Sequence, residues 1–319
     1  MGQVASVFSI DSWFKGAWSR LREYGELVRF SHTIFALPFA LLSTFWATFS
    51  AAPDKAISPN YPIRWIAMLL CMVTARSFAM AINRVVDAKW DAENPRTAGR
   101  PIPAGRISRD AAIRFAIGCA VGFITCTALF LPNRWPLFLS IPVLVWLAGY
   151  SYAKRFTSAA HFWLGSALML APICAWIGLR GEWLASHPSD LLAPSILGAA
   201  VFFWVSGFDL IYACQDAGFD RTAGLHSIPA RWGIPAALQT AKWLHFGMWL
   251  LLALLPWASP AIGLGWIWWG ALLVIAALLV YEHRIVRPED LRRVDVAFFR
   301  LNGWISLILC VCGILGLFL

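Results

Sequence analysis

Hydrophobic residues occur along the chain in runs of roughly 20 residues, separated by shorter polar segments. A helix of that length crosses the hydrocarbon core of a bilayer, which is about 30 Å thick. The pattern therefore predicts an all-α, polytopic membrane protein with nine transmembrane helices in a bundle. The predicted spans are approximately 31–50, 65–86, 111–131, 135–152, 161–179, 191–213, 236–256, 261–281 and 297–318.

Residues 11–30 precede the first span and mix aromatic side chains such as Trp18 with basic ones such as Arg22. This mixture is typical of an amphipathic helix that lies on a membrane surface. The sequence therefore predicts two parts: an amphipathic N-terminal segment at 1–30 and a membrane domain at 31–319.

The composition excludes several classes of protein. Hydrophobic types make up 60% of the 319 residues and charged types 13%, against about 45–50% and about 25% in a soluble domain. A cytosolic enzyme, a disordered chain and a small disulfide scaffold are therefore excluded. The seven Cys residues form no CxxC pair, which favours buried inert thiols over disulfides or a zinc site.

The basic residues are distributed unevenly between the two predicted sides of the membrane. The net charge is +9, and nineteen of the 26 Lys and Arg residues fall on one side, against four on the other. This asymmetry predicts a cytoplasmic N-terminus, an outer C-terminus and an odd number of spans, and it disfavours a nucleic-acid partner. The long polar loops predicted at 87–110 and 214–235 lie on the inner side, so we expect the active surface to face the cytoplasm.

Two groups of acidic residues lie near the cytoplasmic ends of predicted spans. Asn83, Asp87 and Asp91 are spaced i, i+4 and i+8, which places them on one face of a helix. Arg76 lies seven residues earlier on nearly the same face. The second group has spacings of 0, 7 and 11 and is interpreted as another stripe: Asp209, Asp216 and Asp220.

The two stripes together suggest a metal site. Carboxylates near membrane depth are costly and usually face a bundle interior or a water-filled cavity. Mg²⁺ binds one or two carboxylates, keeps several waters and shares substrate phosphate oxygens. Two facing stripes could therefore hold two Mg²⁺ ions on a diphosphate, with Arg and Lys on its remaining oxygens. A single stripe is explained equally well as a solvated helix end with salt bridges.

Several basic residues are candidates for binding anions. Arg76 lies inside a predicted span, where a lone charge costs about 2.5–3.5 kcal/mol, so a phosphate contact is favoured. Arg96 and Arg100 lie in a turn-rich loop and are assigned either to a diphosphate or to anionic lipid. Lys154 and Arg155 end the fourth predicted span, and ligand binding and simple topology signals explain them equally well.

The histidines show no pattern of metal ligation. His32, His161 and His245 are isolated near span ends and are interpreted as packing or hydrogen-bonding residues. No GxSxG, HExxH, P-loop or GxGxxG context occurs in the chain.

The two motifs and their flanks resemble the UbiA superfamily of intramembrane prenyltransferases, in its 4-hydroxybenzoate polyprenyltransferase-like branch. The family pattern is present as Asn83-xxx-Asp87-xxx-Asp91 and as Asp209-xx-Tyr212-Ala-xx-Asp216-xxx-Asp220. The flanking sequences also agree: AINRVVDAKWDAENPRTAGRPIPAGRIS, YSYAKRFT at 150–157, GLHSIPARWG at 224–233 and FSHTIFALPFAL at 30–41.

The resemblance implies a nine-helix bundle around a central cavity, and a Mg²⁺-dependent transfer of a polyprenyl group from polyprenyl diphosphate to a ring carbon of an aromatic acceptor. It assigns one ion to Asn83, Asp87 and Asp91 and the other to Asp216 and Asp220. Asp209 would orient the acceptor or take the ring proton, and Arg76 and Lys154 would assist catalysis. The implied substrate contacts are Arg29, Arg76, Arg96, Arg100, Tyr150, Lys154, Arg155 and Tyr212.

The resemblance implies one preferred acceptor and one alternative. The first is 4-hydroxybenzoate, which leads to ubiquinone, and the second is 1,4-dihydroxy-6-naphthoate of the futalosine route to menaquinone. Outside the family, a CDP-alcohol phosphotransferase would need a DGxxAR element, which the chain lacks. A transporter would need mid-span charges and paired broken helices. The acidic residues here lie instead at the predicted cytoplasmic ends of the spans, and the sequence shows no internal repeat. The expected setting is a bacterial inner membrane, with the lipid bilayer as partner and no obligate protein partner.

Overall fold

The computed structural model describes residues 10–29, 33, 35–50 and 61–319. These ranges are helical and contain no β-strand. Their α-helices are Ile10–Leu27 (α1), Leu37–Phe49 (α2), Tyr61–Glu93 (α3), Arg109–Thr127 (α4), Trp135–Tyr150 (α5), Ala160–Leu184 (α6), Leu192–Ala213 (α7), Ala217–Thr222 (α8), Ile228–Trp232 (α9), Ile234–Ala258 (α10), Trp266–Ile285 (α11) and Asn302–Leu315 (α12). A π-helical turn, Val296–Leu301, precedes α12.

The lengths and compositions of these helices are those of an integral membrane protein. Six helical segments in the described ranges are long and apolar enough to cross a membrane: Pro62–Glu93, Arg109–Phe130, Ala160–Leu184, Pro188–Thr222, Trp266–Ile285 and Val296–Leu315. The apolar helices α2 and α5 are shorter. The all-α membrane class is thus confirmed, and the number of nine spans stays a prediction. Parts of the predicted segment 1–30 and span 31–50, including His32, lie outside the described residues.

Helix α7 is the central element of the bundle. It packs between α6 and α10, while α2 packs against α6 and α12. The core is rich in fully buried tryptophans, whose indole N–H groups need partners inside the bundle. Trp46 donates to the carbonyl oxygen of Gly313 over 2.9 Å, and Trp268 donates to that of Leu252 over 3.0 Å.

Helices α6 and α7 approach each other closely at Gly165. A Cβ atom placed on Gly165 would come within 2.6 Å of the carbonyl oxygen of Phe202 and would also meet the side chain of Ser206. Only a residue without a side chain allows this contact. The close approach aligns the first turn of α6 with the last turns of α7.

The end of the bundle opposite the carboxyl ends of α3 and α7 is held by ion pairs. Arg64 Nη2 lies 2.7 Å from Glu182 Oε2, and its Nη1 donates to the carbonyl oxygen of Leu179 over 2.9 Å. Arg180 Nε lies 2.7 Å from Asp190 Oδ2. These pairs join α3, α6 and the turn before α7.

Helix α1 packs against α3 and α4. Leu27 is fully buried among residues of α3 and α4, and the ring of Tyr24 lies 4.9 Å from that of Phe115. Arg106 Nη1 lies 2.7 Å from Glu26 Oε2 and also contacts Glu23. The hydrogen bond from Arg106 lowers the pKa of the Glu26 carboxyl. A location of α1 on the membrane surface stays a prediction.

We expect Gly165→Ala to lower the free energy of unfolding by about 1–3 kcal/mol, because overpacking forces the backbones of α6 and α7 apart. Thermal unfolding of the protein in detergent measures this change. Gly118→Ala is the matched control in α4, where a new Cβ meets no atom within 4 Å. It should be neutral or stabilising by up to about 1 kcal/mol, since alanine favours a helix. Equal stability of both variants would contradict the proposed close contact.

Candidate active site

One polar cavity contains all the candidate site residues. Its volume is about 230 Å³, and it lies where α3 and α7 end. All fourteen candidate residues predicted from the sequence line this cavity: Arg29, Arg76, Asn83, Asp87, Asp91, Arg96, Arg100, Tyr150, Lys154, Arg155, Asp209, Tyr212, Asp216 and Asp220. Their separate roles stay predictions.

The first acidic stripe is carried by a single helix. Helix α3 continues beyond the predicted end of its span at 86 and ends at Glu93, so Asn83, Asp87 and Asp91 share one helical face. Asn83 Nδ2 donates to Asp87 Oδ2 over 2.8 Å. Arg84 is nearly buried and donates to Asn83 Oδ1 over 3.1 Å.

The second acidic group lines the cavity as expected, but it is not carried by one regular α-helix. Helix α7 ends at Ala213, a 3₁₀ turn follows at Cys214–Asp216, and α8 then begins. A 3₁₀ turn has about 3.0 residues per turn instead of 3.6, so the helical spacing does not carry through it. Asp209 reaches the cavity from α7, Asp216 from the turn and Asp220 from α8.

Asp216 is held by the loop that follows α3. Arg96 Nε donates to Asp216 Oδ1 over 2.9 Å, and its Nη2 contacts Oδ2, which makes a bidentate pair. Asn94 Nδ2 also donates to Asp216 Oδ1, over 3.2 Å. Burial would lower the pKa of Arg96, but the hydrogen bond to Asp216 raises it above its ordinary value. Arg96, which is predicted to contact the diphosphate, thus pairs with Asp216, which is predicted to bind a metal ion.

Two further cations pair with carboxylates in the same way. Arg100 Nη1 lies 2.6 Å from Asp91 Oδ1, and Lys154 Nζ lies 3.5 Å from Asp220 Oδ2. Burial would lower the pKa of Lys154, but nearby carboxylates, that of Asp220 first, raise it above its usual value. The cavity therefore contains an interleaved set of anions and cations.

The oxygen donors of the cavity suit a hard cation. Asp91 Oδ2 is buried and has no hydrogen-bond partner, although a carboxylate oxygen normally needs one. Within the described residues no three His, Cys, Asp or Glu side chains form a ready-made metal cluster. Mg²⁺ needs only one or two carboxylates when water and phosphate oxygens complete its shell. Asn83, Asp87, Asp91, Asp216 and Asp220 therefore fit ions that are shared with a phosphate substrate.

Arg76 pairs with no carboxylate among the described residues, and unlike Arg84 and Arg155 it lines a second, adjoining cavity as well. Its Nη2 donates to the backbone carbonyl oxygen of Arg29 over 3.3 Å, and its Nε is buried without a partner. Arg29 has a φ of +44°, in the left-handed region that few non-glycine residues adopt. The guanidinium group of Arg76 is thus available for a bound anion.

Arg155 is held at the rim of the polar cavity. Its guanidinium carbon lies 4.5 Å from the ring centre of Trp90 and 4.9 Å from that of Tyr152. Its Nη2 also donates to the carbonyl oxygen of Val86 over 2.9 Å. Stacking on two rings orients this cation.

A second cavity, about 190 Å³ in volume, adjoins the polar one and is lined mainly by apolar side chains of α3, α4, α5 and α6. Its lining includes Met68, Met72, Phe123, Phe130 and Leu139. Six residues line both cavities: Arg76, Met80, Asn83, Tyr150, Leu164 and Leu168. A polar chamber therefore adjoins an apolar one.

The structure adds residues to the site that were not predicted from the sequence, and three of them show why. Asn94 stands in an Asn-Pro turn directly after the first stripe, a signal that could have identified it. Trp90 has no such signal, since it acts by stacking on Arg155. His161 was expected to pack or to form a hydrogen bond, and its Nδ1 lies 2.7 Å from Asp209 Oδ2. No local pattern reveals this pair, because 48 residues separate its members.

This chain is similar in sequence and in fold to proteins that are already known. A model described as the UbiA prenyltransferase family matches residues 40–314. The 4-hydroxybenzoate octaprenyltransferase of Cupriavidus necator is 29% identical over 291 residues, which cover 90% of this chain and 94% of that protein. The apo structure of a UbiA homolog from Aeropyrum pernix K1 has a TM-score of 0.75 and 30% identity, covering 89% of this chain and 97% of that one. The structure of a UbiA homolog from Archaeoglobus fulgidus bound to DMAPP and Mg²⁺ has a TM-score of 0.67 and 18% identity, covering 93% and 100%.

We expect Asn94→Ala to loosen the loop at 94–107, because Asn94 bonds both Asp216 and the backbone N–H of Arg96. Hydrogen–deuterium exchange should show faster amide exchange in this loop, by about five- to tenfold for the loss of about 1–1.5 kcal/mol. Glu93→Ala, at an exposed neighbouring position, should leave the exchange unchanged. Equal exchange in the two variants would show that Asn94 does not hold the loop.

Proposed function

Since the chain belongs to the UbiA prenyltransferase family, we propose that it transfers a polyprenyl group from polyprenyl diphosphate to the ring carbon of a phenolic acid, in quinone biosynthesis. The observation that carries the proposal is the junction of the two cavities. The polar cavity has the charges that a diphosphate and Mg²⁺ require, and the apolar cavity that adjoins it suits an isoprenoid chain.

The diphosphate belongs in the polar cavity. Asn83, Asp87 and Asp91 would hold one Mg²⁺, and Asp216 and Asp220 would hold a second. When bound, such ions neutralise the diphosphate and stabilise the departing oxygen. The three cations that pair with these carboxylates line the same cavity, so they are placed to bind phosphate oxygens: Arg96, Arg100 and Lys154. The Archaeoglobus homolog, which has the same fold, is bound to DMAPP and Mg²⁺, and this supports a site for a prenyl diphosphate and Mg²⁺ in the present chain.

The isoprenoid chain belongs in the apolar cavity. Met68, Met72 and Phe130 line that cavity, and burial of apolar surface is favourable at about 25 cal/mol per Å². An allylic cation formed where the cavities meet would be attacked by water if water were present. The apolar lining keeps water away from this point.

The acceptor carboxylate is assigned to Arg76. This residue lines both cavities, and no carboxylate of the described residues neutralises it. Both candidate acceptors are phenolic acids, and one arginine can bind either carboxylate. The name of the Cupriavidus relative favours 4-hydroxybenzoate. The alternative is 1,4-dihydroxy-6-naphthoate, on which the same reaction would serve menaquinone synthesis.

The reaction follows from this arrangement. The C–O bond between the prenyl carbon and the diphosphate breaks, and its electron pair leaves with the diphosphate. The ring carbon beside the phenol hydroxyl then bonds to the prenyl carbon. Asp209 lines the cavity and is the base that takes the displaced ring proton, which restores aromaticity. Tyr150 lines both cavities, so its ring would contact the isoprenoid chain near the diphosphate.

We further propose that nine helices span a bacterial inner membrane, with residues 1–30 as a cytoplasmic amphipathic segment and 31–319 as the membrane domain. The positive charges favour this orientation. Bonds from Arg106 to Glu26 and from the His226 amide to the Lys154 carbonyl connect the basic loops around the polar cavity. The active site would then face the cytoplasm and the C-terminus would lie outside.

Prenyl transfer in membranes tests the reaction and the metal ligands together. Radiolabelled polyprenyl diphosphate and Mg²⁺ are supplied with each acceptor in turn. Asp87→Asn and Asp216→Asn should each lower kcat/KM by about a hundredfold or more, because stabilisation of the leaving oxygen is worth several kcal/mol. Asp110→Asn, at an exposed carboxylate in the first turn of α4, is the matched control and should keep wild-type activity.

The outcomes separate the candidate acceptors. Product formed from one acceptor only would identify the substrate. No product from any phenolic acid, in membranes where a known homologue is active, would overturn the proposed function. Full activity of Asp87→Asn and Asp216→Asn would overturn the metal assignment alone.

The role of Arg76 is tested by changing protein and acceptor together. Arg76→Gln should raise the KM for the acid acceptor by about tenfold or more, because a hydrogen bond to a charged group is worth roughly 1.5–3 kcal/mol. The corresponding carboxamide should bind wild type and Arg76→Gln almost equally. A similar rise in KM with both acceptors would show that Arg76 binds the diphosphate or stabilises the fold, and does not bind the acceptor carboxylate.

A further inference from the structure

His161 and Asp209 form a buried pair at the inner wall of the polar cavity. His161 Nδ1 lies 2.7 Å from Asp209 Oδ2. The His161 side chain is fully buried, whereas the Asp209 side chain is 16% exposed and lines the cavity. The histidine therefore lies behind the aspartate and does not itself line the cavity.

The surroundings of His161 determine how the pair shares its proton. His161 Nε2 is buried and has no hydrogen-bond partner. If Asp209 were the donor, the ring proton would lie on Nε2, as a buried N–H without an acceptor, which proteins rarely contain. The proton is therefore assigned to Nδ1, which donates to Asp209 Oδ2. The second carboxylate oxygen, Oδ1, receives no hydrogen bond from the described residues.

The helix packing sets the position of this pair. His161 lies in the first turn of α6 and Asp209 in the last turns of α7. One turn further along α6, Gly165 meets the backbone of Phe202 and the side chain of Ser206 on α7. This close contact keeps the two helices at the distance that the hydrogen bond requires. Both members of the pair are thus held by packed helices rather than by loops.

We infer that His161 is a positioning residue for the proposed transferase: its hydrogen bond to Oδ2 orients Asp209 so that Asp209 Oδ1 takes the proton from the prenylated ring carbon. In that step the ring C–H bond breaks, its electron pair restores the aromatic ring, and the proton bonds to Oδ1. His161 keeps its own proton on Nδ1 throughout. The inference rests on the proposed function, in which Asp209 is the base.

A structural role for His161 predicts a different result from a positioning role. If the pair only joined α6 to α7, its loss would lower stability and would leave the order of the chemical steps unchanged. If His161 positions the base, its loss slows removal of the ring proton in particular. Proton removal then limits the rate, and deuterium at the reacting ring position slows the reaction.

The experiment compares His161→Leu with His161→Gln in membranes that contain the full-length protein. The acceptor is the phenolic acid that wild type prenylates, with hydrogen or deuterium at the reacting carbon. We expect His161→Leu to lower kcat by about tenfold, less than the roughly hundredfold that loss of a general base costs, with little change in the acceptor KM. A primary deuterium isotope effect should appear. His161→Gln should restore most of the lost activity, because its amide N–H can donate to Asp209.

His187→Leu is the matched control, since His187 is an exposed histidine that stacks on Trp183 away from both cavities. Thermal unfolding in detergent shows whether each variant folds. The inference is overturned if folded His161→Leu shows no isotope effect, or if His161→Gln is as impaired as His161→Leu. Absence of product from wild type with every phenolic acid would instead be a failure of the proposed function.

Discussion

The polar cavity at the carboxyl ends of α3 and α7 depends on one interaction, the neutralisation of buried carboxylates by cations. Three nearly buried aspartates are each paired with a cation from a loop outside the long helices: Asp91 with Arg100, Asp216 with Arg96 and Asp220 with Lys154. Removal of one member of such a pair leaves a buried charge and costs about 3–5 kcal/mol. The loops must therefore close over the helix ends, and this closure forms the polar cavity.

The aromatic core supports the wall of that cavity. The ring of Tyr212 lies 4.4 Å from that of Phe298, which lies 5.2 Å from Phe208, and Phe208 lies 4.9 Å from Trp204 in the core. Phe298 belongs to the π-helical turn before α12. Such turns occur often at functional sites, and here the turn places an aromatic ring against the cavity. The wall is held by packing from several helices, which limits its movement.

Local patterns predicted the helices and the candidate site residues, and tertiary contacts account for what they missed. Asn83, Asp87 and Asp91 were predictable as one face because a single helix carries them. Asp216 and Asp220 reach the cavity through a 3₁₀ turn that the spacing does not reveal. The partner of Arg96 is 120 residues distant along the chain. The contact between His161 and Asp209 depends on how α6 meets α7, which no single segment encodes.

The six residues shared by the two cavities have a consequence for how substrate range evolves. Side chains such as Phe123 and Leu139 line only the apolar cavity, and Asp216 and Lys154 line only the polar one. Mutations in the first group alter the volume of the apolar cavity and leave the charged groups unchanged. Mutations in the second group alter the charged groups and leave the volume of the apolar cavity unchanged. Under the proposed function, the preference for prenyl-chain length and the binding of the charged groups would therefore change independently, and changes at the shared residues, such as Arg76 and Tyr150, would affect both.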